Sequence, residues 1–444
     1  LRLVPPGLRE KLGAWLAPGH FFRSVTILLT GTLVAQAIGI LVSPILTRLY
    51  SVSQFGVFAL FLASTSLLGV VGGARYELAI VLPEKDQDGM SVVALITVVA
   101  VLFMGVLLVL LAVAHAPVTR LLSASELGSW LFVVPGMVFL TVCTGAFRYW
   151  FNRRKMYGLM ASNAMWRSLL TAAMNISFGL LGMAQGGLIG GLLLGQLFTT
   201  VYFAFQVWQE DKALVRMVRW VDVRGVAWKY RNFPKYLIPS GFVEGLSGQL
   251  PTFCFAAIFG QSTVGLFGLA TRVVSLPFGL ISASVGEVFR QQACESFART
   301  GNCRPLFLRC TRHLLALSVL PFTAMFFTSP LLFGWVFGAE WKLAGTYVQL
   351  MTIMFMIRFV TSPLSVMFCV AEKQKWDLAL QFSLLVTMSA TLYILGWVKA
   401  QPKAGILAYS FLYSVKYLVE YYLAFTFTMQ RQTPQAADQS RISI

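Results

Sequence analysis

The chain has 444 residues, 57% of them hydrophobic and only 12% charged, with a mean hydropathy of +0.73. A water-soluble fold of this length cannot cover so much apolar surface, so the bilayer is the expected solvent. The formal net charge of +18 would suit a nucleic-acid binder, but its distribution along the chain follows membrane topology instead.

Apolar segments recur near the roughly 20 residues that a helix needs to cross hydrocarbon, not as the alternating ten-residue segments of a barrel. They predict spans at 22–47, 54–73, 91–114, 129–150, 157–183, 187–208, 236–259, 263–287, 313–337, 344–369, 376–397 and 404–428. Ala14 and Ala17 precede the first apolar run instead of following it, so no cleavable signal peptide is expected and that run is read as a retained span. With Arg23 and Arg148 at span ends counted in the adjoining loops, 26 basic residues fall on one side of the membrane. Only Arg48, Arg120, Lys342, Lys399 and Lys403 fall on the other. The positive-inside rule then puts both termini in the cytoplasm.

Six spans lie on each side of the most basic loop, so the reading divides the chain into four segments. These are an N-terminal bundle (1–208), a basic cytoplasmic linker (209–235), a C-terminal bundle (236–430) and a polar, disordered tail (431–444). In the linker, Lys212, Arg216 and Arg219 recur at helical spacing beside Leu214, Val215, Val218 and Val221, the pattern of an amphipathic helix in the headgroup layer. The halves also echo each other. Gly56–Leu60 resembles Gly265–Leu269, Pro117 corresponds to Pro330, and Asn152–Tyr157 to Ala371–Trp376, at offsets of 209, 213 and 219. An even number of spans per half gives both the same orientation. The expected fold is an all-α polytopic membrane protein with about 12 transmembrane helices in two six-helix bundles around a central cavity.

Ionisable groups inside spans are costly and mark cavities or partners. Arg272, in the eighth span, is the first choice for gripping an anion, because a guanidinium presents two parallel donors to a phosphate. Arg358 and Arg167 lie too deep to snorkel easily. Arg75 and Glu77 follow Gly72-Gly73 in a stretch read as a helical extension or an interfacial anchor. Lys416 and Glu420 are four apart and can pair. Glu244, among Gly241, Gly245, Gly248 and Pro251, and Glu287, near a span end, are read as coupling or paired charges. The surplus of in-span cations suits an anionic cargo.

Enzymatic signals are scarce. The histidines His20, His115 and His313 are dispersed, no phosphate-binding glycine loop appears, and outer loops are short and acid-poor. Neither a catalytic residue nor a cofactor is assigned. Cys294, Cys303 and Cys310 with His313 lack the paired spacing of a zinc site, so no metal is assigned either, and no cysteine falls in an outer loop.

Several motifs resemble the polysaccharide transporter and oligosaccharide flippase (Wzx-like) family of the multidrug/oligosaccharidyl-lipid/polysaccharide exporter superfamily. They are Leu46-Thr-Arg-Leu-Tyr-Ser-Val-Ser-Gln-Phe-Gly-Val-Phe-Ala-Leu60, Arg75-Tyr-Glu-Leu-Ala-Ile-Val-Leu-Pro83, Phe233-Pro-Lys-Tyr236 with Ser247-Gly-Gln-Leu-Pro251, and Ala270-Thr-Arg-Val-Val-Ser-Leu-Pro277. Glu244 and Glu287 stand where that family is expected to carry neutral polar residues. The resemblance implies a non-enzymatic flippase of undecaprenyl-pyrophosphate-linked oligosaccharide in the bacterial inner membrane, serving O-antigen, capsule or exopolysaccharide synthesis. On that reading Arg272, Arg75, Arg358, Arg167 and Arg48 bind substrate, and the alternating-access cycle draws on a proton, sodium or the membrane potential. Membrane lipids and other polysaccharide-assembly proteins are the expected partners, and nucleic acid is not. The rival readings are a cation-coupled drug or metabolite antiporter, a membrane glycan polymerase or ligase, and a non-transporting scaffold.

Overall fold

The structure, a computed structural model, describes residues 20–121 and 128–429, so the predicted tail lies outside the described residues. Among the described residues there is no strand, only an isolated bridge between Asn302 and Met429. The first helices are α1 (His20–Leu49), α2 (Val52–Gly72), α3 (Asp86–Leu121), α4 (Val133–Arg153), α5 (Tyr157–Leu180) and α6 (Ala184–Glu210), followed by the short α7 (Lys212–Met217) and α8 (Trp220–Lys229). Then come α9 (Asn232–Phe259), α10 (Gln261–Thr300), α11 (Arg304–Phe337), α12 (Lys342–Leu364), the one-turn α13 (Met367–Val370), α14 (Gln374–Trp397) and α15 (Pro402–Thr426). Two compact units divide after Gly245, inside α9.

Among the described residues, ten of the long helices are apolar enough to cross a membrane. The two others of that length, α5 and α15, carry Asn163, Arg167 and Asn175, or Lys416 and Glu420, which lower their hydropathy. Large apolar side chains outside the cores are widely exposed, among them Leu41, Val113, Trp335 and Trp397 at 73–83%. That is the surface lipid covers.

Several helices outrun the bilayer. At 1.5 Å per residue the 40 residues of α10 reach about 60 Å, twice the ~30 Å of hydrocarbon. The loop expected between 287 and 313 is therefore helical except at Gly301–Cys303, where Gly301 takes a left-handed φ of 62° and ends α10. Polar residues such as Gln291, Gln292 and Glu295 read as loop by hydropathy, yet they are good helix formers.

In the first unit α4 packs on α2, α3 and α6, while α6 also packs on α5; in the second unit α12 packs on α10, α11 and α15, while α15 packs on α14. The packing centred on α4 recurs around α12, as expected of repeats with the same orientation, whereas the extensive α1–α5 packing of the first unit is not matched between α9 and α14. The start of α4 at Val133 and of α12 at Lys342 differ by 209 residues, whereas the left-handed turn residues Lys155 and Glu372, and again Gly182 and Lys399, differ by 217. The 219-residue offset expected for Asn152–Tyr157 is thus two residues out of register. That offset pairs Arg154 with Lys373 and Tyr157 with Trp376, but the backbone turn sets the match. The eight extra residues fall in the second unit, where the helix breaks after Pro363 and resumes as α13.

Buried Trp150, Phe151 and Phe203 centre the first core, and Trp341, Tyr347, Met351 and Met354 the second. Small residues set the closest approaches. On α6, Gly187, Gly191 and Gly195 would each drive a Cβ into α5 or Tyr50, and a Cβ at Gly345 on α12 would collide with the Ser329 carbonyl of α11. In the Leu46–Leu60 motif, Ser51 and Gln54 form a capping box that starts α2, with the Gln54 amide donating to Ser51 Oγ at 3.3 Å and the Ser51 amide to Gln54 Oε1 at 3.0 Å.

Candidate functional site

Within the second unit a cavity of about 390 Å³ opens between α10 and α12. Phe278, Phe355 and Phe359 supply apolar wall, and Phe278 stacks on Phe322 at 4.3 Å, which fixes its ring. Ser275, Ser282 and Ser362 add hydroxyls, and Arg358, Glu287 and Arg290 add charge. Glu287 is neutralised by Arg290 at 2.6 Å, one turn further along α10, so the net charge of the lining comes from Arg358. Arg358 is exposed and has no ion pair or hydrogen bond among the described residues. A Cβ on Gly286 would make ordinary contact with Pro363 of α12, 3.4 Å from its Cα, whereas a Cβ on Gly279 would meet open space. An apolar-walled pocket with a few hydroxyls and one free guanidinium is suited to an amphiphilic anion.

Beside Arg358 runs a stripe that the sequence reading missed. Tyr409, Tyr413 and Tyr417 recur every fourth residue on α15, with successive ring centroids 4.5 and 6.0 Å apart. Arg358 acts electrostatically on Tyr413 and Tyr417, and Tyr413 donates its O–H to the Ser247 carbonyl at 3.1 Å. The i, i+4, i+8 spacing was the available signal.

Arg272 on α10 and Arg48 at the end of α1 are both exposed and, like Arg358, have no partner among the described residues. Arg167 on α5 is half-buried and feels Arg148 of α4, a second guanidinium, with no carboxylate pairing either one among the described residues. Arg148 was counted with a loop at the sequence level. It lies instead within the apolar stretch Trp130–Arg153, which contains α4 and is long enough to cross a membrane.

The Arg75 segment departs from the helical extension. Ala74 and Arg75 take left-handed φ of 50° and 58°, and a 3₁₀ turn, Tyr76–Ala79, follows. Such values cost non-glycine residues of order 1–3 kcal/mol each. Arg75 pairs with Glu77 at 3.7 Å, and its guanidinium occupies the space a Cβ on Gly241 would need. Burial lifts the Glu77 carboxyl above its usual range, against a hydrogen bond to its own backbone and the charge of Arg75.

Arg153 and Arg154 anchor the chain just after this turn. Arg153 donates to the carbonyls of Ile80 at 3.2 Å and Pro83 at 2.6 Å and pairs with Asp86 at 2.8 Å; Arg154 bridges Asp86 at 3.0 Å and Asp211 at 2.9 Å. The second Asp211 oxygen accepts from buried Trp150 Nε1 at 2.8 Å. Lys416 and Glu420 form a largely buried ion pair at 2.5 Å, whereas Glu244 is exposed with no partner among the described residues.

The fold has clear counterparts among solved structures. A lipid II flippase MurJ in an inward closed conformation gives a TM-score of 0.70 at 12% identity, over 90% of this chain and 87% of that one. An inward-facing multidrug resistance MATE family transporter of the MOP superfamily gives 0.64 at 14% identity over 94% and 96%, and the MATE transporter ClbM in complex with Rb+ gives 0.54 at 15% over 97% and 99%. No curated protein sequence matches the chain. The family profile described as "Polysaccharide biosynthesis protein" matches residues 45–345. This multi-pass membrane protein belongs to that polysaccharide biosynthesis family and has the fold shared by the MATE transporters and the lipid II flippase.

Proposed function

We propose that this protein is a flippase that carries undecaprenyl-pyrophosphate-linked oligosaccharide repeat units across the bacterial inner membrane by alternating access, with both termini in the cytoplasm. The observation that carries the reading is the charge balance within the spans. Lys416 is neutralised by Glu420, while Arg272, Arg358, Arg148 and Arg167 have no carboxylate partner among the described residues. Guanidinium groups held in a membrane without counter-ions call for an anion. The aromatic wall and serines beside Arg358 suit the sugar end of an amphiphilic pyrophosphate, and the family profile supplies polysaccharide synthesis as the setting.

Outward movement of two negative charges from an inside-negative cell is favoured by ~4–5 kcal/mol per 100 mV. Membrane potential is therefore the proposed drive, with a proton or sodium ion as an additional coupling at exposed Glu244. The MATE likeness admits a cation-coupled drug antiporter, but the unpaired arginines would repel a cationic drug.

Native mass spectrometry of the purified protein tests the cargo class. A ladder of polyprenyl pyrophosphate bearing successive sugars is expected, and it should be lost in Arg358→Gln and Arg272→Gln. Bulk phospholipid alone, in protein taken from cells making the lipid-linked glycan, would overturn the assignment.

A further inference from the structure

The connector between α6 and α9 is not the single amphipathic helix its sequence predicts. Val218 and Arg219 are extended and break it into α7 and α8, which turns Val221 outward to 76% exposure. α8 packs on α3, with Val223, Val226 and Tyr230 buried at spacings of three and four. Its opposite face carries Trp220 and Trp228, 59% and 70% exposed, with exposed Arg224 between them.

Cations and rings alternate along the whole connector. Lys212 and Arg216 lie 5.5 and 6.0 Å from the Trp208 ring, Arg231 stacks 4.1 Å over Trp228, and Lys235 lies 5.3 Å from Tyr236. Two of the three acids here are already engaged, Asp211 by Trp150 and Arg154 and Asp222 by Arg219, which leaves Glu210. Lys212, Arg216, Arg224, Lys229 and Arg231 have no carboxylate partner among the described residues.

We propose that this face is a binding surface for anionic phospholipid headgroups in the bilayer leaflet at that end of the first unit. Chain connectivity holds it there, because α6 and α9 are both spans. Exposed Trp and Tyr at that depth sit at the headgroup–acyl boundary, and the interleaved cations meet the phosphates. The surface is also wired inward. Asp211, at its start, joins the Arg153–Arg154 network, and Tyr76 donates its O–H to the Ala227 carbonyl of α8 at 3.4 Å. Headgroup binding thereby steadies the strained turn that holds Arg75.

The test uses the full chain in detergent with equal amounts of phosphatidylglycerol and phosphatidylethanolamine, and native mass spectrometry to count the lipids retained. Wild type is expected to favour phosphatidylglycerol. The triple variant R216Q/R224Q/R231Q should lower the ratio of retained phosphatidylglycerol to phosphatidylethanolamine by about fivefold or more, since one basic group near a membrane surface is worth about that factor. A control variant, R299Q/R309Q/R312Q, removes the same charge from exposed positions of the second unit and should leave the ratio unchanged. If the triple variant fails to fold, Arg224→Gln alone should lower the ratio about fivefold. An unchanged ratio in the connector variant, or an equal loss in the control, overturns the proposal. So does an unchanged lipid ratio accompanied by loss of an acidic protein partner.

Discussion

The Lys416–Glu420 pair offers a quantitative test of how charge is handled in the second unit. The side chains are only 10% and 7% exposed, 2.5 Å apart and one turn from each other on α15. Lys416→Met leaves a carboxylate buried without its cation, and Glu420→Gln leaves the ammonium. Each single change should destabilise by about 3–5 kcal/mol if the orphaned group stays charged, less where it neutralises itself by shifting its protonation. The double variant Lys416→Met/Glu420→Gln removes both charges and should lose less than either single variant. A double-mutant cycle should therefore return a coupling of about 3 kcal/mol or more. Thermal unfolding of the four proteins in one detergent, followed by intrinsic fluorescence and checked for reversibility, supplies the energies. Transport by the double variant should stay near wild type, because a mutually neutralised pair has no duty toward cargo. Additive losses would refute the pairing argument, and a stable double variant without transport would make Glu420 a working group.

Three further perturbations follow from other parts of the molecule. Asp211→Ala strips the acceptor from buried Trp150 Nε1 and the partner from half-exposed Arg154, and should destabilise the first unit by about 2–3 kcal/mol, read as a lower unfolding temperature; an unchanged temperature contradicts the network. Gly279→Leu places a side chain in open cavity, so transport should fall about tenfold while stability changes by less than about 0.5 kcal/mol, and full transport would show that the cavity is not on the cargo path. Burial raises the Glu77 carboxyl, so the folded chain keeps a proton that the unfolded chain releases. That stability is fully present below the unfolded pKa and is lost as pH rises through the folded one. Glu77→Gln should flatten this fall in a pH series, whereas an unaltered slope assigns it elsewhere.

The membrane fold was legible because hydrophobic run length is a direct physical requirement of the bilayer. Boundaries beyond the hydrocarbon were not, since hydropathy marks where lipid ends and is silent on where the helix ends. That is why Gln291–Thr300 reads as loop although it is helical. The halves were visible as faint repeats, but their register is set by the turns at Lys155 and Glu372, whose side chains differ while their backbones agree. Arg358 stood out on cost alone, because an arginine so deep needs a reason. Its tyrosine neighbours did not, since tyrosines at helical spacing look like ordinary packing. The neutralisation of Glu287 by Arg290 was open to view as an i, i+3 pair. The left-handed Ala74 and Arg75 had no signal, as neither is a residue that favours that conformation.

The most direct test of the flippase account is a reconstitution of the purified chain in liposomes containing a fluorescent undecaprenyl-pyrophosphate oligosaccharide, with an imposed potential. An impermeant quencher reports the labelled lipid that changes leaflet. The account predicts protein-dependent translocation that accelerates with a potential favouring movement of negative charge and falls at least about tenfold in Arg358→Gln and Arg272→Gln, a loss of about 1.4 kcal/mol in the barrier difference. Translocation at the protein-free rate by folded wild-type protein, or wild-type rates in both arginine variants, would contradict it.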